Sequence, residues 1–114
     1  MLLFYFGKRG KVMKKLFISQ PMRGKTDEQI LKERESAIQK AKEQLGEDVE
    51  VIDSFFLDRE EPADVKRSGV YWLGKSLELL STADVAYFAP GWEEARGCII
   101  ENQCAREYDI MMIE

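Results

Sequence analysis

Four short apolar runs alternate with three stretches patterned at helical spacing, and this order narrows the possible folds more than any other feature. The runs are residues 15–19, 49–52, 84–89 and 110–113. Between the first two, Ile30, Ala37, Ile38, Ala41 and Leu45 recur on one helical face. Thr26 with Gln29 forms a capping box at its start, and Gly46 is a natural stop at its end. A second helix is predicted over 68–80, with Val70, Leu73, Leu77 and Leu80 inward. A third spans about 95–108 and places Cys98, Glu101, Ala105 and Tyr108 on one side. Residues 84–89 form a nearly continuous apolar run, as expected of a central parallel strand. The order βαβαβαβ predicts one three-layer α/β domain with a four-stranded parallel sheet. In such sheets ligands bind beyond the carboxyl ends of the strands, where the strand order reverses. That rule selects the loops 19–26 and 90–97, while the charged segment 53–67, which contains Pro62, reads as a mobile loop over the rim.

Composition removes several kinds of chemistry. The 114 residues hold no histidine, which excludes His-based acid–base work, triads and His-ligated metal sites. Cys98 and Cys104 lie six apart on one predicted helix and face different sides, so they read as free thiols. The net charge of −4 conceals an asymmetry: residues 1–15 carry five cations and no anion, whereas residues 16–114 carry 12 positive charges against 21 negative. A body with that balance lacks the basic face a nucleic-acid binder needs. The apolar run 1–6 is too short to span a bilayer, and its cations follow it where a signal peptide would place them first. The expected compartment is therefore the cytoplasm. Residues 1–12 read as a leader or wrongly assigned extension ahead of a start at Met13, or else as a flexible tail or added edge strand.

The segment 91–105 carries the most suggestive side chain. A glycine-containing turn leads into a helix on which Glu101 shares the inward stripe with small apolar residues. A buried carboxylate loses much of its hydration, so it is either held by donors or used. Two readings stand: a structural carboxylate held by Arg96, Ser19 or tyrosines, or a nucleophile or general base in a cleft. Trp92 reads as a cleft wall for a planar ligand or as a plain rim aromatic. Glu93 and Glu94 read as solvated or as first-turn charges. Tyr71 and Trp72 read as helix packing or an oligomer contact. In the loop 19–26, Arg23 and Lys25 beside a helix start suit an anion, though a bare strand-to-helix turn fits equally well.

The stretches Leu16-Phe17-Ile18-Ser19-Gln20-Pro21-Met22-Arg23-Gly24, Ala83-Asp84-Val85-Ala86-Tyr87-Phe88 and Gly91-Trp92 through Glu101 resemble the nucleoside 2-deoxyribosyltransferase-like superfamily, more closely its short DUF4406-type branch. The resemblance implies a flavodoxin/Rossmann-like fold and a glutamate that attacks the anomeric carbon of a deoxyribosyl group. Gly97 to Glu101 matches the family spacing, so Glu101 takes the nucleophile's place. Ser19, Arg23 and Gly24 match a turn that binds a 5′-phosphate in the deoxynucleotide N-hydrolase branch. Gln20, Pro21, Met22, Gly91, Trp92, Arg96 and Gly97 complete the expected substrate site. Ser76 and Ala95 stand where the transferases have aspartates. The implied activity is hydrolysis or transfer at an N-glycosidic bond of a (deoxy)nucleoside or its 5′-monophosphate, without metal or other cofactor. The alternative is a non-catalytic nucleotide-binding module of the same fold. The expected partner is that small molecule, not nucleic acid or membrane, and the expected assembly is a homodimer or larger.

Overall fold

The computed structural model describes residues 13–56 and 60–114; the N-terminal extension 1–12 and residues 57–59 of the predicted rim loop lie outside the described residues. Strands β1 (Lys14–Ser19), β2 (Val49–Val51), β3 (Val85–Phe88) and β4 (Met111–Ile113) alternate with helices α1 (Asp27–Leu45), α2 (Ser68–Leu80) and α3 (Arg96–Glu107). The sheet is parallel throughout, in the order β2-β1-β3-β4. This is a flavodoxin/Rossmann-like α/β sandwich, and the strand order reverses between β1 and β3. Among the described residues no helix is long and apolar enough to cross a membrane.

Strand alternation distributes the core. Leu16, Ile18, Val85, Tyr87 and Ala89 face one side and pack on Ala37 and Ala41 of α1. Phe17, Ala86 and Phe88 face the other, against Leu80 of α2 and Ala105 of α3. Two further backbone bonds extend the central pairing: Asp84 N–H donates to Lys15 O at 2.9 Å, and Ala89 N–H donates to Ser19 O at 2.9 Å.

The helix ends follow their local chemistry. Thr26 Oγ1 accepts from Gln29 N–H at 3.1 Å, and Gln29 Oε1 accepts from Thr26 N–H at 2.9 Å, closing the capping box. Gly46 ends α1 in the left-handed region at φ 71° and donates its N–H to Lys42 O. By contrast α3 starts at Ala95, which has no side-chain acceptor to cap it.

Two inward assignments need correction. Val70 is 68% exposed, because the face of α2 that turns to the rest of the molecule runs through Gly69, Trp72, Leu73 and Ser76, which line a cavity, to the buried Leu80. Tyr108 is 79% exposed, because α3 has already ended there and the chain turns through Asp109 at φ 58° towards β4. On α1 the stripe holds an unexpected member: Arg34 is buried beside Ile30, Ala37 and Ala41.

Candidate functional site at the switch point

The loops after β1, β2 and β3 and the facing sides of α2 and α3 enclose a cavity of about 800 Å³ at the carboxyl ends of the strands. That lies within the roughly 300–1,000 Å³ of small-molecule sites. Its position follows from topology: the loops of β1 and β3 diverge to opposite faces of the sheet and leave a crevice between them.

At the end of β1, alternation sends consecutive side chains to opposite faces. Ser19 shares the face of Phe17 and meets α3, where its Oγ donates to Glu101 Oε1 at 2.6 Å. Gln20 points to the α1 side, where its Nε2 donates to Ile30 O at 3.2 Å and its Oε1 accepts from Arg34 Nη1 at 3.2 Å. Arg34 also donates from Nη2 to Ile52 O at 3.2 Å and from Nη1 to Ser54 Oγ at 3.4 Å. One buried guanidinium therefore ties the β1 loop to the β2 loop. Burial lowers the Arg34 pKa and Asp53 opposes that shift. Gln20 borders the cavity, but both ends of its amide are engaged by the frame.

Glu101 lines the cavity at only 7% exposure. Burial raises its pKa, and hydrogen bonds with Ser19 and Ser76 pull it back down. The Ser19 hydroxyl of β1 thus holds it, helped by Ser76 of α2; among the described residues neither Arg96 nor a tyrosine hydrogen-bonds to it. The neighbouring Cys98 thiol is pushed up to about 11, chiefly by burial, with Ser19 and Lys25 opposing and Glu101 reinforcing. A thiol with that pKa stays protonated at neutral pH and is a poor nucleophile.

Most of the expected site residues meet at this cavity. Ser19, Gln20, Pro21, Met22, Arg23, Gly91, Arg96, Gly97 and Glu101 all line it. Gly91 adopts φ 91°, and a Cβ added there would stand 3.5 Å from Pro21 Cγ, so the two loops run close together. Two residues fall elsewhere. Gly24 is exposed at φ 80° at the outer turn and does not reach the cavity wall. Trp92 is turned inward onto Phe88, with ring centroids 5.7 Å apart, in the core under α2 and α3. Its indole N–H is buried with no partner among the described residues. Of the two loop carboxylates, Glu94 lines the cavity and Glu93 does not.

The cavity also has walls that sequence reasoning did not assign. Ser54, Phe55 and Phe56 enter from the β2 loop, and Gly69, Trp72, Leu73 and Ser76 from α2. The signal for the second set was the helical spacing of Gly69, Trp72 and Ser76, obscured by taking Val70 as inward. No group of His, Cys, Asp and Glu among the described residues could hold a metal ion. Comparisons with known protein families, curated proteins and solved structures return no match to this chain.

Proposed function

We propose that this chain acts on the N-glycosidic bond of a (deoxy)nucleoside or its 5′-monophosphate, with Glu101 as nucleophile. The observation that carries the reading is Glu101 itself, a carboxylate 7% exposed on the wall of the switch-point cavity and held by Ser19 Oγ at 2.6 Å. Such a carboxylate can trap an oxocarbenium-like carbon without metal or histidine. A Glu101 oxygen attacks C1′ as the C1′–N bond breaks; the bonding pair leaves with the base nitrogen, which takes a proton from solvent. Water then adds to C1′, loses a proton, and the C1′–O pair returns to the carboxylate. With a second base in place of water, the same intermediate gives transfer.

Arg23 and Arg96 both line the cavity and form no ion pair among the described residues. Together with the uncapped amino end of α3 they suit a phosphate at the mouth. Lys25, held 2.9 Å from Glu33, is already paired. The same reading takes the protein as cytoplasmic and assembled as a homodimer or larger, with exposed Ile99, Ile100, Met111 and Met112 as the available apolar surface.

The second reading, binding without turnover, is favoured by Ser76 and Ala95, which line the cavity where the resembled transferases carry aspartates. Incubation with a panel of deoxynucleosides and their 5′-monophosphates, with free base followed by chromatography, separates the two. Base release that falls by at least about a thousandfold in Glu101→Gln supports catalysis. Calorimetric binding without release at any pH between 5 and 9 leaves only the binding module.

A further inference from the structure

We propose that the α2 face formed by Trp72 with Phe56 is the surface on which the ligand's base stacks, the place expected of Trp92. This inference rests on the nucleotide reading above and goes further by locating the base. Trp72 and Ser76 lie four residues apart on α2, one above the other on a single face, and both line the cavity. Ser76 and Glu101 line the same cavity, and Ser76 lies close enough to act on the carboxylate, so Trp72 stands one helical turn, about 6 Å, along α2 from the residue beside Glu101. A nucleobase is bonded directly to C1′, so a sugar seated at Glu101 brings its base to this level. One further turn along, Gly69 also lines the cavity, and a Cβ there would meet nothing within 4 Å, which leaves open space beside the indole.

The indole is held in place by its polar edge. Trp72 Nε1–H donates to Glu61 Oε2 at 2.9 Å, while Ser68 Oγ donates to Glu61 Oε1 at 2.6 Å. Phe56 lies against Trp72 with centroids 5.1 Å apart, and Tyr71 meets it edge-on at 4.9 Å. With its N–H engaged, Trp72 offers a ligand only ring surface. Stacking of that kind accepts any base, since each has a π face. Trp72 therefore contributes affinity for a planar base and little choice among bases.

The test uses the full chain in a Trp92→Phe background, which removes an unpartnered buried indole and leaves Trp72 as the only fluorophore of its type. Trp72 emission is expected to change on addition of 2′-deoxyadenosine or thymidine 5′-monophosphate and not with 2-deoxyribose 5-phosphate. Trp72→Ala is expected to weaken calorimetric binding of either nucleotide about 5- to 150-fold, the range for losing one base–aromatic stack, with 2-deoxyribose 5-phosphate unaffected. Trp72→Phe, which keeps a ring, recovers most of the loss. Nucleotide binding that leaves the emission unchanged, or that is equally tight in Trp72→Ala, overturns the stacking assignment while the nucleotide reading stands. If the parent protein binds no nucleotide at all, that reading falls and the stacking assignment falls with it.

Discussion

The Ser19 hydroxyl, 2.6 Å from Glu101 Oε1, is the strongest support of the site's buried carboxylate, with Ser76 acting in the same direction. A buried carboxylate prefers to be neutral, and the Ser19 hydroxyl favours the charged form a nucleophile needs. On the proposed reaction, removing it in Ser19→Ala is expected to move the acidic limb of the pH–rate profile to higher pH, read from base release at a series of pH values. The same balance predicts a stability effect. Because burial raises the folded-state pKa of Glu101, the folded protein holds more protons than the unfolded chain between the ordinary value of 4.5 and that raised value. Stability is then present below the lower limit and lost as pH rises through the window. Glu101→Gln should abolish this loss, giving a higher Tm than the wild type at neutral pH and no advantage at about pH 4. Arg34 makes a purely structural contrast. Arg34→Met leaves the Ile52 carbonyl and the Gln20 amide oxygen without their buried donor, and a cost of about 2–4 kcal/mol is expected in chemical denaturation.

At the level of elements, the ends of the helices separate scaffold from site. α1 is closed at both ends by local devices, so Thr26→Ala should cost about 1 kcal/mol and Gly46→Ala about 1–2 kcal/mol, with no effect on ligand affinity. α3 is open at its start, and the residues there, Ala95 through Cys98, line the cavity. Ala95→Asp supplies the missing cap and should stabilise the fold by about 0.5–2 kcal/mol. It also puts a negative charge where a phosphate is proposed to sit, so affinity for a monophosphate should drop relative to the free nucleoside. Calorimetry with both ligands checks the pair of effects.

Across the whole molecule, β1 and β3 are paired on both edges and covered on both faces, while β2 and β4 are short edge strands. Amides of Leu16–Ile18 and Val85–Phe88 should accordingly exchange most slowly with deuterated solvent, and those of β4, where Met111 is 48% exposed, much faster. The site is built where the most protected strands end, which gives Glu101 and Ser19 a rigid base, whereas Trp72 and Phe56 come from the outer wall.

What the amino-acid sequence determined by itself was the scaffold. Alternation of strand and helix periods, the Thr26/Gln29 box and Gly46 placed the elements to within a residue or so, and the parallel, doubly wound arrangement followed because βαβ connections leave few other solutions. Local periodicity also put Glu101 on an inward stripe and the β1 and β3 loops at the reversal point. Tertiary structure alone decided the partners. Whether Glu101 met an arginine, a tyrosine or a serine depended on which strand crossed beneath α3, and parity along β1 delivered Ser19 there and Gln20 to Arg34. Trp92 lies against the core and Trp72 on the cavity wall for a similar reason. A helical period identifies a stripe, but whether it is sealed by the sheet or opens onto a cavity depends on packing between segments far apart in the chain.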